Sequence, residues 1–202
     1  MKISVDIDGV LADSVGHLLA NDPHWSDVTV DKLRRYDYIH KGIGIGQALV
    51  SKQYDRNFVL TTPLYEGALG MMRAIKATGV DFQYVTARPK QAISSTYDWI
   101  SRCGLPSGSP VGVIFDEGAR WPRTPGDILI DDWWKSCEHW AAPAKAICVS
   151  RPWNDRVAIE SNRLFHRRLD QVADAVRDFL VPRNEPHDHL GVFADERYLS
   201  IG

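Results

Sequence analysis

Lys2-Ile3-Ser4-Val5-Asp6-Ile7-Asp8-Gly9 is a short apolar run that ends in two carboxylates and a glycine. The run reads as a buried strand, Lys2 to Asp6, because it is short, β-branched and bounded by a turn residue. Asp6 and Asp8 lie two apart at the strand end, so both side chains lean to one side. Gly9 lets the backbone turn sharply and lets a ligand approach closely.

Working outward, the chain alternates short apolar runs with amphipathic stretches. Ala12 to Ala20 reads as helix, Glu66 to Thr78 as a helix stopped by Gly79, and Asp81 to Val85 as a strand. Lys90 to Cys103 reads as helix, Val111 to Phe115 and Asp127 to Ile130 as strands, and Trp134 to Ala141 as helix. Ala144 to Val149 reads as a strand and Arg168 to Leu180 as a closing helix. This alternation predicts an α/β fold: a three-layer, Rossmann-like parallel sheet core with right-handed crossovers.

Between Asn21 and about Tyr65 the pattern breaks. The stretch is aromatic and mixed in charge, and it is interrupted by Pro23 and the run Gly42-Ile43-Gly44-Ile45-Gly46. One helix is expected there, from about Gln47 to Asp55. The glycine run lacks the phosphate-loop pattern and follows no strand, so it reads as a hinge or close-packing loop. The expected organisation is a core of residues 1–13 and 66–182, a small helical cap of residues 14–65 inserted after the first strand, and a polar tail of residues 183–202.

At 202 residues the chain fits one domain carrying a modest insert. A hydrophobic fraction of 44 % and a charged fraction of 25 % are ordinary for a globular protein. The formal net charge of −2 gives no electrostatic case for binding duplex nucleic acid. Cys103, Cys137 and Cys148 form neither a CxxC nor a zinc pattern and read as reduced. With no signal-like h-region at the N-terminus and no long apolar window, a cytoplasmic location and no membrane partner are expected.

In parallel sheets the ligand site lies beyond the carboxyl ends of the strands. Three strands deliver polar groups to that edge: Asp6-Ile7-Asp8-Gly9, then Val85-Thr86-Ala87-Arg88, then Ile130-Asp131-Asp132. Several carboxylates packed together repel unless a cation sits among them. An oxygen-only set without His or Cys suits Mg2+. Such a site suits phosphoryl transfer, with one carboxylate attacking phosphorus and a second moving the proton.

These residues resemble the haloacid dehalogenase-like phosphatase superfamily. Asp6 to Asp13 is similar to its first motif, Val85-Thr86-Ala87-Arg88-Pro89 to its second, and Leu129-Ile130-Asp131-Asp132 to its fourth. The first motif followed by an insert is similar to the 5′(3′)-deoxyribonucleotidase branch. The resemblance implies a phosphoric monoester hydrolase working through an aspartyl phosphate. Asp6 would be the nucleophile, Asp8 the general acid/base, and Thr86 and Ala87 phosphate binders. Mg2+ would sit on Asp6, the Asp8 carbonyl, and Asp131 or Asp132. The family also places a lysine before the last motif, and none lies between Lys90 and Lys135. Arg120 is the expected substitute cation, with Lys90 and Arg123 as reserves.

Bland readings stand beside these. Asp13 reads as the N-cap of the next helix. Thr86 could cap a helix rather than bind phosphate. Trp25, Tyr36, Tyr38 and Phe58 could stack on a nucleobase or simply form the core of the insert; Arg34, Arg35 and Lys41 could help bind an anion. Trp133 and Trp134 read as packing at the sheet edge rather than stacking on a base. The expected partner is a small phosphorylated substrate, a nucleotide first. The alternatives are another metabolite or nucleic-acid end phosphate, or a binding module with weak chemistry. Oligomeric state is left open, a dimer included.

Overall fold

The computed structural model describes residues 1–108, 113–115 for the backbone alone, 127–141, 144–155 and 163–180. Its centre is β1 (Lys2–Asp6), flanked by β4 (Asp81–Thr86) and β6 (Ile128–Asp131). β5 (Val113–Phe115) extends the sheet on one side, and β7 (Lys145–Val149) and β8 (Leu164–Arg167) on the other. The six strands run in the order β5-β4-β1-β6-β7-β8, and every pairing is parallel. The expected three-layer α/β fold is the one observed.

Alternation along the strands creates the layers. Ile3, Val5, Ile128, Ile130, Ile147 and Val149 face one cluster, together with Met72 and Ile75 of α4 (Ala68–Ala77) and Val172 and Val176 of α7 (Val172–Leu180). Trp99 of α5 (Ile93–Arg102) joins the same cluster and donates its indole N–H to the Thr62 carbonyl at 2.7 Å. Val85, Leu129, Ala146 and Cys148 face the opposite side, covered by Cys137 and Trp140 of α6 (Trp134–Ala141). Burying both faces explains why these strands read as near-continuous apolar runs.

The insert leaves and re-enters the core through two paired segments. The Asp13 amide donates to the Pro63 carbonyl at 2.9 Å and the Tyr65 amide to the Leu11 carbonyl at 2.8 Å. Between these crossings lie α1 (Ser14–Asn21), a short hairpin of β2 (Ile39–His40) and β3 (Ile43–Gly44), α2 (Ile45–Gln53) and α3 (Arg56–Thr61). Asp13 accepts from the Gly16 amide at 2.9 Å and is the expected N-cap of α1. The apolar side chains of the insert form their own cluster, built from Val15, Leu18, Trp25, Val28, Leu33, Ile45, Leu49 and Phe58.

Three elements differ from expectation. Lys41 and Gly42, with φ of 47° and 82°, turn the β2–β3 hairpin, so the glycine run opens with a tight turn rather than a hinge. Its later members start α2. The insert holds a second main helix, α3, whose cap Asp55 accepts from the Asn57 amide at 2.8 Å. Strand β8 was not anticipated, because Leu164-Phe165-His166-Arg167 is short and half polar, as edge strands often are. Among the described residues no helix is long and apolar enough to cross a membrane.

Candidate active site

Parallel pairing sets the strand ends side by side. Val5 is in register with Ile130, and Asp6 with Val85, so Asp6 emerges beside Asp131 on one flank and Thr86 on the other. One carboxylate oxygen from each of Asp6, Asp131 and Asp132 lies within 4.8 Å of the others. Asp131 and Asp132 are buried and Asp6 is partly buried.

Burial, then the charges of Asp131, Asp132 and Asp8, pushes the Asp6 carboxyl well above its ordinary range. Burial pushes Asp131 up to about 6, against the opposing bond from the Trp133 amide at 2.8 Å. Burial and the charge of Asp131 push Asp132 up to about 8, opposed by the Trp153 indole N–H at 2.7 Å and the charge of Arg151. Three carboxylates that resist ionising together are the electrostatic signature of a cation site. The donors are all oxygen, which fits a hard divalent ion. Gly9, at φ 84°, lies against this cluster: a Cβ there would overlap the Asp132 carboxylate.

Asp8 stands apart from the cluster. The Arg88 guanidinium donates Nε to Oδ2 and Nη2 to Oδ1, both at 2.8 Å. Ser14 also donates to Oδ1, while Gln53 Nε2 at 3.1 Å and the Thr86 hydroxyl at 3.4 Å donate to Oδ2. Burial alone would raise the Asp8 carboxyl, but the Arg88 charge and these donors outweigh it and hold it below the ordinary value. Its side chain is therefore committed to Arg88, which leaves the metal role expected of this residue to its backbone carbonyl.

Thr86, expected to hold phosphate, is buried at the end of β4 and accepts from the Arg88 amide at 3.3 Å. Ala87 follows it, exposed. Lys90 is exposed on the first residue of a one-turn 3-10 helix. Arg120 and Arg123 lie outside the described residues.

The aromatic expectations divide. Trp25, 1 % exposed, and Phe58, 7 % exposed, are locked inside the insert's own cluster and present no face to a base. Tyr38 packs half-buried against the same cluster. Tyr36 is different. Its ring stacks on Trp133 with centroids 5.5 Å apart, and 43 % of its surface is exposed. Desolvation at its hydroxyl, then the charges of Asp132, Asp6, Asp131 and Asp8, hold that phenol well above its ordinary range. Trp133, read as edge packing, is its partner there.

Sequence reasoning gave no role to Arg88, although it quoted the residue, and missed Ser14, Gln53 and the tetrapeptide Arg151 to Asn154. Arg151 Nε donates to the Gly9 carbonyl at 2.6 Å and Nη2 to the Val10 carbonyl at 3.2 Å, while its guanidinium lies 3.7 Å above the Tyr65 ring. Asn154 Nδ2 donates to the Asp132 carbonyl at 2.6 Å. A usable signal existed: the strand ending at Val149 also points its carboxyl end at the site, and these residues follow it.

The sheet order, the inserted helices and the carboxylate edge match the fold of solved haloacid dehalogenase-like hydrolases. Solved structures of this fold align over most of the chain. One is a HAD-hydrolase from Bacillus subtilis bound to magnesium, 14 % identical, TM-score 0.51, covering 87 % of this chain and 98 % of its own. Another is the L-2-haloacid dehalogenase from Xanthobacter autotrophicus with chloropropionic acid covalently bound, 10 % identical, TM-score 0.53, covering 87 % and 98 %. A third is a predicted phosphoglycolate phosphatase from Haemophilus somnus, 15 % identical, TM-score 0.52, covering 86 % and 96 %. No protein-family model and no curated protein matches the sequence.

Proposed function

We propose that the protein is a Mg2+-dependent phosphomonoesterase that uses Asp6 as a covalent nucleophile. The observation that carries this reading is the convergence of Asp6, Asp131 and Asp132 within 4.8 Å. Attack on a carbon–halogen bond needs no cation, and two further buried carboxylates would only keep Asp6 protonated. Attack on a charged phosphoryl group is the chemistry that benefits from a cation among them. When bound there, Mg2+ keeps Asp6 ionised and neutralises phosphoryl oxygens.

Asp6 attacks phosphorus, the bond to the leaving oxygen breaks, and an aspartyl phosphate forms. The leaving oxygen takes a proton from Asp8. Water then attacks the aspartyl phosphate, gives its proton to Asp8 and releases phosphate and free Asp6. Thr86 and the backbone at Ala87 lie beside Asp6 and would hold the phosphoryl oxygens. Asp8 is gripped here as an anion by Arg88, so its acid role requires it first to leave that grip and take up a proton, which it then gives to the leaving oxygen.

The favoured substrate is a (deoxy)nucleoside monophosphate. The Tyr36–Trp133 pair supports it: Trp133 directly follows Asp132 in the chain, and Tyr36, stacked on it and 43 % exposed, offers an aromatic face that a base could meet. A sugar or other metabolite phosphate, or a nucleic-acid end phosphate, is the alternative of the same chemistry. Release of phosphate from a panel of nucleoside monophosphates, sugar phosphates and p-nitrophenyl phosphate, with Mg2+ or EDTA, tests the proposal. Hydrolysis that needs Mg2+ and disappears in Asp6→Asn supports it. An unaffected Asp6→Asn, or EDTA-resistant hydrolysis, overturns it.

A further inference from the structure

The tetrapeptide Arg151-Pro152-Trp153-Asn154 touches three separate parts of the molecule. Arg151 holds the carbonyls of Gly9 and Val10, in the loop that follows Asp6. Asn154 ties the segment to the sheet: its Nδ2 donates to the carbonyls of Asp132 at 2.6 Å and Val149 at 2.8 Å, and its Oδ1 accepts from the Arg151 amide at 2.8 Å. Trp153 sits between them. Its ring belongs to the insert's apolar cluster, with Val15, Leu18, Trp25, Leu33, Ile45 and Leu49. Its Nε1–H donates to Asp132 Oδ2 at 2.7 Å.

One side chain thus has its apolar body in the insert and its polar tip on a carboxylate of the candidate cation site. A Trp is suited to this, since the ring buries about 150–250 Å² while the N–H finds a partner. Trp153 is only 7 % exposed, so its placement is set by packing. A carboxylate rotates readily about its last bond. A fixed donor on Oδ2 selects one rotamer, and with it the orientation in which the Asp132 carboxylate meets Asp6 and Asp131. If the insert shifts, the indole loses its packing and with it the donor's position.

We propose that Trp153 is a positioning residue that couples the seating of the insert on the core to the orientation of Asp132. The inference rests on reading Asp6, Asp131 and Asp132 as a cation site. Coupling of this kind is reciprocal: a cation that fixes Asp132 must also favour the seated insert. A purely structural Trp153 would affect folding and leave cation affinity alone.

The test uses the full chain, stripped of metal and titrated calorimetrically with MgCl2. Trp153→Phe keeps an aromatic ring in the cluster, removes the donor and gives up part of the indole's volume. Mg2+ should bind it about 10–100-fold more weakly than wild type, the range for losing such a supporting hydrogen bond. Hydrogen exchange gives the second readout. Mg2+ should slow amide exchange across residues 15–49 in wild type and do so much less in Trp153→Phe. Wild-type affinity together with wild-type exchange in Trp153→Phe, or tighter binding, overturns the coupling while leaving the cation site intact. A wild type that binds no Mg2+ overturns both.

Should Trp153→Phe fail to fold, two cavity variants replace it. Leu33→Ala loosens the insert's cluster around Trp153, and Val176→Ala loosens the core cluster under the sheet. The coupling predicts weakened Mg2+ binding in Leu33→Ala alone. Equal effects in the two variants, or none in either, overturn it.

Discussion

Arg88 and Asp8, eighty residues apart in sequence, form a two-point ion pair with both N–O distances at 2.8 Å. The guanidinium is 1 % exposed, donates Nη1 to Thr96 Oγ1 at 3.2 Å, and lies 5.4 Å from the Trp99 ring centroid. Arg88 is thus held by the core, while Asp8 is also held by Ser14 and Gln53 of the insert, and the pair sits at the rim of the carboxylate cluster.

Removing Arg88 leaves an anion with lost partners next to three other carboxylates. Arg88→Ala is expected to cost about 3 kcal/mol of stability, the scale for stripping one partner from a buried pair. Arg88→Lys retains charge but not the fork, and should recover only part of the loss. Urea denaturation of the metal-free proteins measures this; an Arg88→Ala within about 0.5 kcal/mol of wild type, the range of neutral surface changes, contradicts it.

Without a cation the carboxylate cluster reverses the usual acid sensitivity. Unfolded aspartates ionise near pH 4, at about 3.9. In the folded chain Asp131 holds its proton up to about 6 and Asp132 up to about 8. Between about pH 4 and 8 the folded state therefore binds more protons than the unfolded one, so stability falls as pH rises. Melting temperatures in EDTA should decline across that window. Added Mg2+ should raise the melting temperature more at pH 8 than at pH 5, and a flat or rising profile in EDTA would count against the cluster as described.

Gly9→Ala tests the close approach. The left-handed backbone alone costs an Ala about 1–2 kcal/mol, and the new methyl would overlap the Asp132 carboxylate. The expected outcome is a lowered melting temperature together with a loss of Mg2+ binding. An Ala variant that binds Mg2+ as wild type does would show that Asp132 can move aside at no cost.

The phosphate cation is the remaining test. With Asp6 approaching an anionic phosphoryl group, a fixed positive group besides the metal lowers the barrier. Arg120→Ala is expected to reduce kcat/KM by about 10²–10³ and Lys90→Ala by about tenfold or less. A severe Lys90→Ala with a near-normal Arg120→Ala assigns the role to the exposed turn after β4 instead.

The sheet was legible because its strands are buried on both faces and read as near-continuous apolar runs, broken only by residues such as Ser4 and Gln83, and the carboxylates were legible because each ends such a run. β8 escaped because Leu164-Phe165-His166-Arg167 lies on an edge, where one side needs no apolar cover. Contacts across long separations left no local trace: nothing in the spacing of Arg88 and Asp8, or of Trp153 and Asp132, marks them as partners. The insert's aromatics were ambiguous for a related reason. Trp25 and Tyr36 are similar in kind, and only the packing of Leu18, Leu33 and Leu49 separates the ring that is walled in from the one left facing the site.

The two crossings between insert and core have a bearing on how such a chain can change over time. Ala12 pairs with Leu64 as an isolated bridge, flanked by the hydrogen bonds from the Asp13 amide to the Pro63 carbonyl and from the Tyr65 amide to the Leu11 carbonyl. The entry and exit points of the insert are therefore stapled together by the core's own backbone, and the loop between them closes whatever it contains. A segment of different length or sequence could be grafted at this junction without disturbing β1 or Asp6. Such a graft would have to supply its own replacements for Ser14 and Gln53 on Asp8 and for the apolar bed of Trp153. Those contacts, rather than the junction, limit which cassettes the core can accept.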